Sequence, residues 1–193
     1  MTMNTFRRAT ILAGLSILAL LLIAFPAWGA SKAEKQKEVQ KMSRDTLARL
    51  YRAQPSAKKA VEGAAGYAVF SNFGMKIFVA GGGSGSGIAV DNKTKQATYM
   101  KMVEVQAGLG IGVKKFRVVF VFETQKALND FVNSGWEFGG QTTAAAKSGD
   151  QGLALSGALS VAPGVWMYQL TDTGLAAEIT GKGTKYYKDS DLN

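Results

Sequence analysis

The 193-residue chain has no cysteine and no histidine. Those absences exclude disulfides, thiol nucleophiles, imidazole bases, Cys/His zinc sites and haem ligated by His or Cys. Proline is scarce at three residues, whereas glycine is abundant at 23. Disorder raises both, and a hydrophobic content of 47% argues for a packed chain instead. Acid is also in short supply: 14 Asp and Glu face 23 Lys and Arg, a formal charge of +9. At this length one domain is the default.

The long uncharged run is N-terminal. Arg7 and Arg8 precede Ile11–Phe25, Pro26 breaks the run, and Ala27-Trp28-Gly29 places small residues before a cleavage junction between Gly29 and Ala30. This is the pattern of a cleavable secretory signal over residues 1–29. The apolar run is about 15 residues, short of the roughly 20 that a spanning helix needs, which disfavours an uncleaved anchor. No cysteine follows it, so a lipoprotein anchor is not expected. The expected location is the periplasm, a compartment that permits disulfides which this chain does not use.

Without residues 1–29 the charge is +7, and it is unevenly placed. Residues 32–62 hold nine bases and four acids, whereas residues 63–193 hold twelve bases and ten acids. The basic segment reads as helix. Ser31-Lys32-Ala33-Glu34 fits a capping box. Val39, Met42, Thr46, Leu47, Leu50 and Tyr51 recur at three- and four-residue steps, on one face. Pro55 ends or restarts the helix, Ser56 is placed to cap a short second one through Val61, and Gly63 to stop it.

From residue 64 the period becomes that of strands. Tyr67–Phe70 and Met75–Val79 read as short strands split by Asn72 and Gly74. Ile88–Val90 leads into an Asp91-Asn92-Lys93 turn, and Gln96–Met102 returns. Lys115–Phe122 is the most hydrophobic strand, apolar on both faces in its second half and therefore central. Thr124 caps one internal helix with Ala127, Leu128, Phe131 and Val132 inward, ending near Gly135. Strand patterns resume over 136–147, 153–161, 165–171 and 175–180, and the tail Asp189–Asn193 reads as frayed. The expected fold is α+β, mostly antiparallel sheet of barrel or sandwich type, with a basic N-terminal helix. Its expected divisions are signal 1–29, helical region 30–62 and glycine-rich β region 63–193, the last two forming one globular unit.

The glycines alternate in two places. Gly81, Gly83, Gly85 and Gly87 share one parity, and so do Gly108, Gly110 and Gly112. In a strand each set is a face without side chains, suited to close packing or to a cleft for a flat or chain-like ligand. A phosphate loop is excluded, since neither glycine-rich nucleotide motif occurs and neither segment leads into a helix. Ser56-Ala57-Lys58-Lys59 matches the S-x-x-K nucleophile motif. With 12 Ser and 17 Lys, however, about one chance match is expected, and the companion motifs are missing. Glu104, Glu123, Glu137 and Glu178 fall on strand patterns with no spacing that singles out a catalytic pair, and strand-face Glu is expected to be solvated. No EF-hand-type loop offers a metal site. No enzyme activity, cofactor or metal is expected.

Taken in order, several stretches resemble the SYLF-domain family of lipid-binding proteins. They are Ala64–Phe70, Gly81–Val90, Val105–Gly112, Val118–Phe122, Ala127–Phe131, Trp136–Gly139 and Ala158–Glu178, together covering roughly residues 40–188. The resemblance implies a non-enzymatic domain that binds membrane lipids, shared with eukaryotic actin-associated proteins. An exported chain meets neither actin nor, normally, phosphoinositides, so those partners do not transfer. The family's Gly-Pro-x-Gly-Arg-like turn is replaced here by Ala146–Gly152, without Pro or Arg.

The residues and the resemblance converge on an envelope protein that contacts anionic phospholipid or a membrane surface. The alternative is a structural protein-interaction module without lipid binding. Lipid-contacting candidates are Arg44, Arg49, Arg52, Lys58 and Lys59 of the helical region, and Lys114, Lys115 and Arg117 after the second glycine run. The helix could offer its apolar face to an interface or dock that face on the sheet. Nucleic acid suits the charge but not the compartment, and is not expected as a partner.

Overall fold

A computed structural model describes residues 30–77, 80–107, 112–138, 157–172, 174–175 and 183–193. The expected signal segment with Gly29, the glycines Gly108 and Gly110, the stretch 146–152, Glu178 and the expected strand residues 139–147, 153–156 and 176–180 lie outside them. Of the expected cleavage junction only Ala30 is described: it is exposed, belongs to no helix or strand, and directly precedes Ser31. Among the described residues three helices accompany a strongly curled antiparallel sheet.

Helix α1 runs Lys32–Ala53 and α2 Ser56–Gly63. The capping box forms: Glu34 N–H donates to Ser31 Oγ at 3.2 Å, and Ser31 N–H donates to the Glu34 carboxylate at 2.7 Å. Ser56 does not cap α2. Pro55 already has helical dihedrals (φ −58°, ψ −34°), so the turn starts one residue early and Ser56 is its first helical residue. Its hydroxyl accepts instead from Gln54 Nε2 at 2.7 Å.

The strands are β1 Gly66–Ile77, β2 Ala80–Asp91, β3 Ala97–Ala107, β4 Gly112–Phe122, β5 Trp136–Phe138, β6 Leu159–Ala162, β7 Val165–Thr171, β8 Gly174–Leu175 and β9 Thr184–Lys188. Helix α3, Gln125–Ser134, lies between β4 and β5 and is capped by Thr124, whose Oγ1 accepts from Ala127 N–H at 3.2 Å. The order across the sheet is β5-β9-β3-β2-β1-β4-β7-β6, with β8 paired to β7. The expected interruption at Asn72 and Gly74 does not occur. β1 is flanked by β2 and β4 along its length, and two ladders hold both residues extended.

Strand parity divides the core into two faces. Phe70, Met100, Met102, Phe120, Phe122, Met167 and Tyr186 point to one, where α3 adds Leu128 and Phe131. Val69, Val119, Val121, Tyr168 and Leu170 point to the other, where α1 and α2 add Leu50, Ala57 and Val61. The apolar stripe of α1 is therefore docked on the sheet. The tail is docked too, contrary to the frayed reading. Leu192 packs with Val39, Ile88 and Tyr99, and the Asn193 side chain bonds both the N–H and the C=O of Tyr99 at 2.9 and 2.8 Å.

Candidate functional site

The sheet register explains how α1 creates a site beside itself. Under the helix runs an apolar row, Tyr99–Ile88–Val69–Val119–Tyr168, across β3, β2, β1, β4 and β7. The next row on the same face is polar: Tyr187–Lys101–Ser86–Ser71–Arg117, ending at Leu170. The helix covers the first row, and the second forms a shelf along its edge.

Two cavities open on this shelf and share Ser71. The larger, about 510 Å³, lies between Val39 and Met42 of α1 and the strands carrying Ser84, Ser86, Lys101 and Tyr187. The smaller, about 200 Å³, is bounded by Arg49, Lys115, Arg117, Thr171 and Asp172. Ser84 and Ser86 alternate with Gly83, Gly85 and Gly87, so one strand turns hydroxyls to the α1 face and glycines to the α3 face. Gly85 and Gly87 meet protein. A Cβ on Gly87 would stand 2.2 Å from the Phe70 ring, and one on Gly85 would stand 2.2 Å from Ser71 O. Gly81 and Gly83 share their register parity, and Gly112 supplies backbone to the first residue of β4.

The cavities differ in charge. Lys101, in the larger, is ion-paired twice, to Asp191 at 2.8 Å and to the buried Asp189 at 3.0 Å. The hydrogen bond to Asp191 contributes most to holding its ammonium above the ordinary lysine range, and in return Lys101 holds the Asp191 carboxyl below its ordinary value. Glu38 adds a carboxylate to the same cavity. In the smaller cavity, Arg49 and Arg117 are half-buried and bonded to neutral oxygens. Arg49 Nη2 donates to Thr171 O at 3.2 Å, and Arg117 Nη1 donates to Thr46 Oγ1 at 3.1 Å. Neither arginine has an ion pair within 4 Å among the described residues.

The structure thus brings Arg49, Lys115 and Arg117 together from segments more than 60 residues apart in sequence. Arg44, Arg52, Lys58 and Lys59 are exposed on α1 and α2 and line neither cavity. Ala30 likewise lines neither, so the residue after the expected cleavage point stands apart from the site. Lys114 contributes backbone to β4, and its side chain is outside the described set. Sequence reasoning missed Ser71, Ser84, Ser86 and Lys101. The Gly-Ser alternation over 83–87 was a usable signal for two of them. It also missed Val103 and Val105, which are 39% and 68% exposed on β3 with the parity of Lys101, so they continue the α1 face beyond the helix.

Glu104 is buried rather than solvated, at 2% exposure, because β9 and the α3-side core cover its face of β3. Its charge, secondary to burial, raises the Tyr186 phenol. Glu123 accepts from Trp166 Nε1 at 2.8 Å, and Glu137 pairs with Lys185 at 3.2 Å. Among the described residues no group of three or more Asp/Glu could hold a metal, and no helix is long and apolar enough to cross a membrane.

Comparison with known proteins gives two matches. Residues 103–193 match the Ysc84 family, described as Las17-binding protein actin regulator. The chain is also 34% identical over 161 residues to Beta cell expansion factor A of Aeromonas veronii, which covers 82% of this chain. The chain spans 59% of that relative's length.

Proposed function

Since the chain belongs to the Ysc84 (SYLF) family, a binding-type domain rather than a known enzyme family, we propose that it is a non-enzymatic lipid-binding protein of the bacterial envelope. In this reading the signal segment exports it, cleavage leaves Ala30 as the first residue, and the α1 face meets anionic phospholipid.

One observation carries the reading. The side of the molecule that presents α1 is positive at its surface and apolar where the helix stops. Lys32, Lys35, Lys37, Lys41, Arg44, Arg52, Lys58 and Lys59 are all exposed, against the four exposed acids Glu34, Glu38, Asp45 and Glu62, and Val103 and Val105 stand uncovered on the same sheet face. Near an anionic leaflet each cation is worth about 1 kcal/mol, and salt screens it within a Debye length of about 8–10 Å. Docking on the sheet removes the apolar stripe of α1 from any membrane role. Val103 and Val105 supply apolar contact instead, on the order of 2 kcal/mol together if the membrane covers them.

The test is flotation with phosphatidylglycerol/cardiolipin vesicles against phosphatidylcholine vesicles, at low and high salt. The reading expects binding to the anionic vesicles alone, weakened by salt. Reversing Arg44, Arg52, Lys58 and Lys59 to Glu should abolish it, and Val103→Ser with Val105→Ser should reduce it severalfold. Equal failure on both vesicle types would move the function to a protein partner.

A further inference from the structure

We propose that the cavity between Arg49, Lys115 and Arg117 is an anion site that takes a phosphate group. The inference rests on the lipid reading for one source of that phosphate, a phospholipid headgroup; a soluble phosphate ester is the other.

Neither Arg49 nor Arg117 has an acidic partner within 4 Å among the described residues. Three cations and one carboxylate, Asp172, line the cavity. Asp45 also feels the charge of Arg117, but it is bonded chiefly to Lys41, at 2.6 Å. A half-buried guanidinium without an acidic partner has lost part of its hydration and gained no opposite charge in return, and a bound anion restores both. Among the described residues the other cations do not share that condition, since all but Lys101 are exposed. Lys101 has two aspartates, while Lys41, Lys58, Lys126 and Lys185 each have one acidic partner.

Geometry adds the chemical class. Each arginine spends one of its five N–H donors on a neutral oxygen, which anchors a guanidinium whose other donors remain for a ligand. Two such forks from different elements suit the several oxygens of a phosphate better than the two of a carboxylate. The Ser71 hydroxyl is a further donor on the wall. At about 200 Å³ the cavity is smaller than the roughly 300–1,000 Å³ of sites for drug-sized ligands, and so suits a headgroup rather than a whole lipid. The larger cavity shares Ser71 as a wall residue with it. A phosphate bound at the arginines would leave the rest of its molecule room along the serine shelf toward Val103.

The experiment titrates the protein with glycerol 1-phosphate and with inorganic phosphate at constant ionic strength, read by amide and arginine Nε NMR shifts. Saturable shifts at Lys115, Arg117, Thr171 and Asp172 are expected. Arg49→Gln or Arg117→Gln should weaken binding about tenfold or more, the loss of a charge-assisted donor, whereas Lys126→Gln, exposed on α3 across the sheet, should leave it unchanged. Should either arginine variant fail to fold, Arg49→Lys and Lys115→Gln read the same site and should each weaken binding severalfold. Non-saturating shifts, or shifts spread along Lys32–Lys59, overturn the site. Vesicle binding separates the two claims. Competition between glycerol 1-phosphate and phosphatidylglycerol vesicles identifies a headgroup site. Saturable phosphate binding without vesicle binding keeps the site and removes the lipid reading. Vesicle binding without saturable phosphate binding does the reverse.

Discussion

Gly87 offers a quantitative test of how the glycine-faced strand works. If its bare face exists to admit the Phe70 ring, Gly87→Ala must force that ring or the backbone to move. A Cβ there would stand 2.2 Å from Phe70 Cδ1 and 2.5 Å from Val69 O. The ring has little room to yield, with Tyr186 at 4.8 Å and Phe120 and Phe131 each at 6.2 Å between centroids. Overpacking of this kind costs about 1–3 kcal/mol. Restricting the unfolded chain returns about 0.4–1 kcal/mol. The expected net loss is roughly 1–2 kcal/mol, a fall in Tm of about 2–8 °C for a chain of this size. Gly82→Ala is the matched control, at a neighbouring β2 position of the opposite parity. Its Cβ meets nothing nearer than Glu104 O at 3.5 Å, an ordinary contact. That variant should be neutral or up to about 0.5 kcal/mol more stable, from the same unfolded-state effect. Urea unfolding at equal m-value measures both. Equal midpoints, or a more stable Gly87→Ala, would refute the packing account and leave the glycine face open for a ligand.

Three further outcomes follow from the same geometry. Leu192→Ala should cost about 2–4 kcal/mol in urea unfolding, since the side chain is buried against Val39, Ile88 and Tyr99; a frayed tail would give almost nothing. Ser31→Ala removes the hydroxyl that accepts from Glu34 N–H and should cost about 1 kcal/mol, seen as lost helicity at the start of α1 and a lower midpoint. The hydrogen bond and charge of Lys101 hold the Asp191 carboxyl below its ordinary 3.8, so folding favours its deprotonated form. Its contribution is therefore present above about pH 4 and fades as pH falls through the lowered folded value. Asp191→Asn should flatten that part of the stability profile between about pH 5 and 3, read from urea midpoints.

Much of the fold was legible because its signals are local. The capping box at Ser31–Glu34, the Thr124 cap and the Asp91 turn each depend on residues within a few positions, and all three form. The central place of β4 followed from a run apolar on both faces. Local reasoning failed where distant partners intervene. Asn72 and Gly74 read as a break but are carried by two flanking strands, Ser56 lost its cap role to the dihedrals of Pro55, and the polar tail is held by Tyr99 and Lys101. The site was legible only as an inventory. Arg49, Lys115 and Arg117 stood among eight cation candidates, with nothing in the chain order to group them.

The sequence alone therefore determined most of the described elements, the caps of α1 and α3, the parity of the β2 glycines and the excess of positive charge near the N-terminus. These follow from backbone sterics, period and composition, which act over a few residues. The tertiary structure decided which cations matter together and which are neutralised. Docking α1 over one apolar row put Arg49 beside Arg117 and left the serine shelf open, and docking the tail gave Lys101 its two aspartates. The physical reason is that burial and charge pairing depend on distance in space, and only the register of six strands brings those residues within reach.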